Sequence, residues 1–368
     1  MNTNNNHFHG SDLEKIEQIY QISKEAVINY SSNVNPLGIS PLLKNELASN
    51  IDIITTYPDR DYTNLRKSIG DYCETNYENI IVGNGSTELI SLVMHLKKPK
   101  NAIIIGPTYS EYEREIALTG GASYYFPLEE ENHFEINIEN LNKQLTKEID
   151  LLVICNPNNP TSTAITQSSI RSILDHCKKN NVFVMIDETY VEFSEDINVI
   201  SAVPLTEFYN NLIILRGISK FFAAPGLRLG YGICSNEDLI KEMNAKQNPW
   251  AINTLASFAG EIMFSDQAYI TETKNLIASE RKRIFETMSH WDSVKVYNPS
   301  ANFLLVKLLD PSVTSTMVFE YLVRKNIMVR DCSSFPFLND RFIRFCFLKP
   351  RENDLLLEAL NEFLNTTS

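Results

Sequence analysis

Short, almost uniformly apolar segments alternate with amphipathic segments through the middle of this 368-residue sequence. The apolar segments predict β-strands at 79–83, 101–106, 122–128, 150–155, 182–187, 211–215 and 230–234. Helix-like spacing of apolar residues falls between several of them, at 86–98, 110–120 and 167–180. Strands that are apolar on both faces and separated by helices predict an α/β fold with a mostly parallel sheet, covered on both sides. Ligands of such sheets bind beyond the carboxyl ends of the strands.

The pattern changes after about residue 265, where a long amphipathic stretch at 267–290 leads into further short strands and helices. This change predicts a large domain at 46–265 and a smaller α+β domain at 266–368, because the chain is too long for one ordinary core. Residues 1–45 resemble neither part, and we expect this N-terminal segment to pack with the small domain.

The composition excludes several classes of partner. With 33 Lys and Arg against 46 Asp and Glu, the net charge is −13, so we expect neither nucleic acid nor an anionic membrane as a partner. An anionic ligand must therefore be bound by locally placed donors. The six cysteines form no CxxC pair and predict buried free thiols in a reducing compartment. No apolar run is long enough to span a membrane, and no His or Cys cluster predicts a metal site, so we expect a cytoplasmic protein without a metal.

A glycine-rich turn, Gly83-Asn84-Gly85-Ser86-Thr87, follows one predicted strand and opens a helix. Glycines let the backbone approach a ligand closely, and the free N–H groups of a helix start attract anions. The turn therefore suits a phosphate. A plain glycine turn in which Ser86 caps the helix remains the alternative.

Two ionisable residues stand at or just beyond the ends of predicted strands. Asp187 ends an apolar strand, where a carboxylate is costly unless a cation such as a protonated pyridine nitrogen meets it. Lys220 follows the next strand among aromatic residues, which favours a lowered pKa and imine formation. Arg228 lies eight residues further on, with a donor fork suited to phosphate.

Together these segments resemble the fold-type I pyridoxal-5′-phosphate (PLP) enzymes of the class I/II aminotransferase family, over nearly the whole chain. Asn159, Asp187, Tyr190, Lys220 and Arg228 stand in the family's order and at its separations. The resemblance implies the PLP-dependent transferase fold of the aspartate aminotransferase type. It also implies PLP as the cofactor, held as a Schiff base on Lys220.

The resemblance further implies a role for each matched residue. Lys220 would move protons, Asp187 would pair with the ring nitrogen, and Tyr109 would stack on the ring. Asn159 and Tyr190 would bind the ring's phenolic oxygen. The residues expected around the cofactor phosphate are Gly85, Ser86, Thr87, Ser219 and Arg228.

The expected partners are an amino acid or amine phosphate substrate and a second subunit. Tyr57 would reach the cofactor phosphate of the neighbouring subunit, so the resemblance implies a homodimer. Arg344 matches the arginine that binds the substrate α-carboxylate. His9, Asn33 and Arg330 complete the expected substrate-binding set.

Within the family, the sequence is more similar to threonine-phosphate decarboxylases of the cobalamin pathway than to histidinol-phosphate aminotransferases. The segments behind this preference include His9-Gly10, 30–38, 247–253 and 329–336. We therefore expect decarboxylation of a phosphorylated amino acid such as threonine phosphate. Amino transfer of the histidinol-phosphate type and a non-catalytic PLP-binding sensor are the alternatives.

The sequence departs from the family's pattern at Ser11 and at Ser162 of Pro160-Thr161-Ser162, and two further departures concern the anionic groups of the ligands. Gly217 stands where relatives carry a Ser or Thr that donates to the cofactor phosphate. Leu348 stands where the decarboxylases carry a second arginine. Neither departure affects the residues expected to hold the PLP ring.

Overall fold

The computed structural model describes residues 12–366, and thirteen strands lie within that range. In chain order they are β1 Ile28–Asn29, β2 Ile80–Gly83, β3 Asn101–Gly106, β4 Ala122–Pro127, β5 Leu151–Cys155, β6 Phe183–Asp187, β7 Leu212–Gly217, β8 Gly230–Ile233, β9 Val294–Val296, β10 Phe303–Leu308, β11 Ile327–Met328, β12 Arg330–Asp331 and β13 Phe342–Cys346. The predicted strands of the central region correspond to β2 through β8, with ends that agree within two residues.

The α-helices of the same range alternate with these strands and then flank the C-terminal ones. They are α1 Leu13–Tyr20, α2 Pro41–Ser49, α3 Thr63–Cys73, α4 Ser86–Lys97, α5 Glu111–Leu118, α6 Ile138–Gln144, α7 Gln167–Asn180, α8 Ile197–Ile200, α9 Glu237–Lys246, α10 Thr254–Met263, α11 Gln267–Ser289, α12 Ser315–Val323 and α13 Pro350–Thr366. Polar side chains fix several helix starts. Thr166, for example, accepts a hydrogen bond from the backbone N–H of Ser169 at the start of α7.

The central sheet has seven strands in the order β2-β8-β7-β6-β5-β3-β4. The five strands from β7 to β4 are parallel to one another, and β8 is antiparallel to both of its neighbours. The predicted α/β fold with a mostly parallel sheet is confirmed. Alternate residues of each strand face opposite cores: Ile103 and Ile105 pack with α3, α6 and α7, whereas Ala102 and Ile104 pack with α4, α5 and α9.

A second, antiparallel sheet has the order β12-β13-β10-β9. The N-terminal segment contacts this C-terminal part of the chain through several elements, including β1 and α1. Strand β1 pairs in parallel with β11, and Ile16 of α1 packs on Phe319, Val323 and Met328. The boundaries at residues 45 and 265 stay predictions.

All six cysteines are free thiols, as the spacing predicts. Five of them are buried, and Cys73 is half-buried. Within residues 12–366, no helix has the combination of length and apolar character that crossing a membrane requires.

One edge of the central sheet collects the ends of several strands. The parallel strands β3, β5, β6 and β7 all end there, because parallel strands share their direction. Gly83, Gly217 and Gly230 lie side by side at this edge, where Gly230 is the register partner of both other glycines. A Cβ atom on Gly230 would lie 2.3 Å from the backbone nitrogen of Ser86, so only glycine lets the start of α4 come this close.

Candidate active site

A cavity of about 630 Å³ opens at this edge of the sheet. Most of the site residues expected from the sequence line it together. They are Asn33, Gly85, Ser86, Thr87, Tyr109, Asn159, Asp187, Tyr190, Ser219, Lys220, Arg228, Arg330 and Arg344. Tyr57 does not belong to the lining of this cavity, and His9 lies outside the described residues.

The start of α4 and Arg228 form a cradle on one side of the cavity. Gly85 has a left-handed backbone with φ +81°, and a Cβ atom there would lie 2.3 Å from Nη2 of Arg228. Helix α4 begins at Ser86 with Gly85 as its N-cap and no side-chain cap, so the alternative in which Ser86 caps the helix is wrong. The first N–H groups of α4 and the Arg228 guanidinium are therefore available to an anion.

Asp187 lies at the end of β6 and is buried. Its Oδ2 accepts a hydrogen bond of 2.7 Å from the hydroxyl of Tyr112, and its Oδ1 accepts from the backbone N–H and the hydroxyl of Thr189. Burial raises the pKa of Asp187, and these three hydrogen bonds oppose the rise. The ion pairs formed among residues 12–366 do not include Asp187, so this carboxylate meets no cationic side chain.

Lys220 enters the cavity from the loop after β7. Its Nζ donates a hydrogen bond of 2.7 Å to the backbone carbonyl of Ser32. Burial lowers the pKa of Lys220 to about 8, and the positive charges of Arg344 and Arg228 contribute to the lowering. A larger fraction of this amine is therefore uncharged near neutral pH, which is the form that attacks a carbonyl carbon.

Arg344 lies on β13 and lines the same cavity. Its Nη1 donates to Oδ1 of Asn159, and its Nη2 donates to the backbone carbonyl of Ser31 at 2.6 Å. The guanidinium lies over the ring of Phe303, 5.3 Å from its centroid. Its Nε is buried and has no hydrogen-bond partner among residues 12–366, so this N–H remains a donor for a ligand, and each Nη has a second N–H.

Arg330 stands directly opposite Arg344, because these two residues are register partners on the adjacent strands β12 and β13. Arg330 donates to the hydroxyl of Ser334 at 2.9 Å and lies over the ring of Phe335. Burial lowers the pKa of Arg330, and the charge of Arg344 acts in the same direction. Like charges at a cross-strand pair are unfavourable on their own, so this pair favours a bound anion.

Tyr190 and Asn33 complete the inner wall. The Nδ2 of Asn33 donates to the Tyr190 hydroxyl at 3.3 Å, and the Tyr190 ring meets Phe303 edge-on. Burial raises the pKa of Tyr190. Its hydroxyl is thus neutral and remains a possible donor to a ligand oxygen. The Oδ1 of Asn33 is buried without a hydrogen-bond partner in the described chain.

The charges lining the cavity differ in sign from the charge of the whole protein. Among the lining residues of the described range 12–366, four cationic side chains lie there against the single carboxylate of Asp187; the cations are Lys220, Arg228, Arg330 and Arg344. This excess of positive charge suits an anionic ligand.

Tyr57 lies on the surface, where its side chain is 77% exposed. Its ring packs on Trp250, with 4.7 Å between the ring centroids. The guanidinium of Arg60 lies over the Trp250 ring, 5.9 Å from its centroid. This position places Tyr57 outside the cavity of its own chain.

Sequence reasoning missed several polar residues of the site. Tyr112 and Thr189 hold Asp187, and the carbonyls of Ser31 and Ser32 hold Arg344 and Lys220. Thr189 could have been found, since a hydroxyl two residues after a strand-ending Asp commonly bonds back to it. The other contacts join segments far apart in the sequence, which local patterns do not reveal.

The cavity suits a phosphorylated aromatic ring with a cationic nitrogen and an electrophilic carbon. The cradle at Gly85 fits a phosphate, because glycine suits the left-handed backbone there and lets Arg228 lie close to the start of α4. The buried, unpaired Asp187 fits a ring cation, and the Lys220 amine fits a carbonyl carbon. A PLP molecule meets each of these requirements.

Comparisons with known proteins agree with this geometry. Residues 25–360 match the family described as aminotransferase class I and II. A protein from Caldanaerobacter subterraneus subsp. tengcongensis, provisionally named a threonine-phosphate decarboxylase, is 37% identical over 329 residues, which cover 89% of this chain and 88% of that protein. The threonine-phosphate decarboxylase of Salmonella typhimurium is 30% identical over 359 residues, covering 98% of this chain and 97% of its own. The crystal structure of the histidinol-phosphate aminotransferase from Clostridium acetobutylicum superposes with a TM-score of 0.86 at 34% identity, covering 92% of this chain and 99% of that one.

Proposed function

This chain belongs to the aminotransferase class I and II family of PLP-dependent enzymes, and we propose that it decarboxylates a phosphorylated amino acid of the threonine phosphate kind. When bound, PLP supplies an aldehyde that joins amines and a cationic ring that accepts the electrons of a broken bond at Cα. The site residues determine where the cofactor is held and which bond breaks.

In this proposal, the chain contacts the cofactor at its phosphate, ring nitrogen, ring face, phenolic oxygen and aldehyde carbon. Gly85, Ser86 and Thr87 at the start of α4, together with Ser219 and Arg228, bind its phosphate. Asp187 faces the ring nitrogen, and Tyr109 lies against the ring. Asn159 and Tyr190 bind the phenolic oxygen. Lys220 forms the covalent link and afterwards delivers a proton to Cα, for which its low pKa suits it.

The cross-strand pair of Arg330 and Arg344 is the observation that supports a phosphorylated amino acid as the substrate. The cofactor phosphate already has Arg228 and the helix start, and both buried arginines line the same cavity as register partners, which suits a substrate with two anionic groups. Arg344 binds the α-carboxylate and thereby sets which Cα bond stands perpendicular to the ring. Arg330 binds the phosphate, with Asn33 and His9 as further ligands of the substrate.

Amino transfer of the histidinol-phosphate type is the second candidate. The similarity to the aminotransferase from Clostridium acetobutylicum supports it, and so does Leu348. Leu348 packs in the hydrophobic core, so this position adds no charge for a second anionic group. In that reaction, Lys220 would carry a proton between Cα and the cofactor instead of protonating Cα after loss of CO₂.

A homodimer belongs to the same proposal. The exposed Tyr57 and its neighbour Trp250 lie outside the cavity of their own chain and are free to contact a second copy. Tyr57 would there contribute its hydroxyl to the cofactor phosphate of the partner subunit.

The reaction is tested with purified enzyme loaded with PLP. With L-threonine O-phosphate we expect release of one CO₂ and one 1-amino-2-propanol phosphate per substrate consumed. Histidinol phosphate with 2-oxoglutarate should give no glutamate above background. Glutamate formation without CO₂ release would establish the second candidate, and absence of both products would refute both.

Binding to the two arginine variants tests the substrate assignment separately. Arg344→Gln should weaken binding of L-threonine, which has the carboxylate but no phosphate. Arg330→Gln should weaken binding of 1-amino-2-propanol phosphate, which has the phosphate but no carboxylate. Equal effects of both variants on both ligands would contradict the assignment.

A further inference from the structure

Tyr112 is the side chain that contacts both groups expected to face the cofactor ring. It lies in the first turn of α5 and is fully buried. Its hydroxyl donates to Oδ2 of Asp187 at 2.7 Å, and its ring meets the ring of Tyr109 edge-on with the centroids 5.6 Å apart. Neither contact follows from the catalytic roles already assigned.

The direction of the hydrogen bond is fixed by the two groups. Burial and the neighbouring Asp187 charge raise the pKa of Tyr112, so its hydroxyl keeps its proton and can only donate to the carboxylate. Burial alone would favour a protonated Asp187. The donors from Thr189 and Tyr112 lower its pKa and thus favour the ionised form.

We propose that Tyr112 is a positioning residue that keeps Asp187 ionised and turned toward the cavity, and so keeps the ring nitrogen of PLP protonated. The inference rests on the proposed function, in which Asp187 faces that nitrogen. One proton is shared between the carboxylate and the nitrogen. A donor that stabilises the carboxylate anion leaves this proton on the ring, where its charge draws electrons from Cα.

Removal of the Tyr112 hydroxyl should therefore shift this proton from the ring nitrogen toward Asp187, while the packing of the residue-112 ring stays in place. In Tyr112→Phe the ring still contacts Tyr109, but Asp187 loses one of its donors and becomes more basic. We expect the ratio of protonated to neutral ring nitrogen to fall about tenfold or more, an effect typical of one hydrogen bond to a charged group.

The measurement is the ¹⁵N chemical shift of enzyme-bound PLP labelled at the ring nitrogen, since pyridine and pyridinium nitrogens resonate far apart. Wild-type protein should give the pyridinium signal, and Tyr112→Phe a signal moved toward neutral pyridine. Tyr209→Phe is the matched control. The hydroxyl of Tyr209 also donates to a carboxylate at 2.7 Å, that of Asp175, but Tyr209 is not among the residues that line the cavity. Its signal should equal that of wild type.

Two further variants separate the possible failures. Thr189→Val removes the other side-chain donor of Asp187 and should move the signal in the same direction, even if Tyr112→Phe does not fold. Asp187→Asn should give the neutral signal. If Asp187→Asn matches wild type, Asp187 does not face the nitrogen and the proposed function fails with the inference. If only Asp187→Asn differs from wild type, the role of Tyr112 is refuted and the proposed function stands.

Discussion

Lys220 and Ser32 lie 188 residues apart in the sequence, and the Nζ of Lys220 donates a hydrogen bond of 2.7 Å to the backbone carbonyl of Ser32. This bond joins the N-terminal segment to the loop after β7 inside the cavity. A neutral carbonyl orients the amine without supplying a negative charge that would hold its proton. Because the amine is buried and lies near the positive charges of Arg344 and Arg228, its pKa is lowered to about 8.

The first prediction concerns the acidity of Lys220 in the cofactor-free protein. Its reactivity toward a small acylating reagent, followed by mass spectrometry across pH, should rise with a midpoint near pH 8 instead of near the ordinary 10.5. Arg344→Gln should raise this midpoint, because a repelling positive charge is removed. Reactivity of wild-type Lys220 that is still rising above pH 10 would contradict the lowered pKa.

The second prediction concerns Gly217, at the end of β7. A Cβ atom there would lie 3.6 Å from the backbone oxygen of Leu229 and 3.8 Å from the Ser86 Oγ, so a small side chain fits beside the phosphate cradle. Gly217→Ser should bind PLP about fivefold to thirtyfold more tightly, which corresponds to one added hydrogen bond of about 1–2 kcal/mol. Equilibrium dialysis measures the dissociation constant. Gly217→Ala fills the same space without the hydroxyl, and equal affinities of the two variants would show that no such bond forms.

The third prediction concerns Glu192, a buried residue two positions after Tyr190. Neither of its carboxylate oxygens has a hydrogen-bond partner within residues 12–366. Burial raises the pKa of Glu192 from 4.5 to about 7, although the charge of Arg216 opposes the rise. Between these two values the folded chain binds more protons than the unfolded chain, so the free energy of unfolding falls as pH rises through this window.

Glu192→Gln should remove the fall in the free energy of unfolding that ionisation of Glu192 causes as pH rises. The free energy of unfolding of the variant minus that of wild type should be about 2 kcal/mol larger at pH 8 than at pH 5. Urea unfolding at both pH values measures this difference. A difference between variant and wild type that does not change with pH would mean that Glu192 is ionised throughout.

The fourth prediction concerns the buried ion pair of Glu188 and Arg216. Glu188 follows Asp187 and Arg216 precedes the Lys220 loop, so the pair joins the ends of β6 and β7, with 2.7 Å between Nη2 and Oε2. Arg216→Met leaves the Glu188 charge buried and should lower the free energy of unfolding by about 3–5 kcal/mol. The double variant Arg216→Met with Glu188→Leu should recover part of that loss. A double variant as unstable as the sum of the two single ones would show that the charges do not interact.

The sequence predicted the parts of the site that are encoded locally. An apolar strand that ends in Asp187 and a glycine turn before a helix are visible as patterns, because strand and turn chemistry act over a few residues. The pairing of Arg330 with Arg344 was not predictable, since it depends on the register of β12 against β13. The bond from Tyr112 to Asp187 was missed for a similar reason, because it needs the packing of α5 onto the end of β6.

Surface position also limits what a pattern can reveal. Tyr57 stood out in the sequence only through the resemblance to a family. Its exposed ring beside Trp250 shows no link to the cavity of the same chain. A contribution to a neighbouring subunit depends on an interface, and single-chain patterns do not encode where a second copy docks.

The amine that carries the cofactor is the central feature of the proposed site. Treatment of the PLP-loaded protein with borohydride makes the cofactor's link to its lysine permanent, and a digest analysed by mass spectrometry then locates it. We predict the phosphopyridoxyl group on Lys220, in the peptide that follows Arg216, and no labelled peptide from Lys220→Ala. Label on another lysine of the wild-type protein, or none after full loading, would contradict the account.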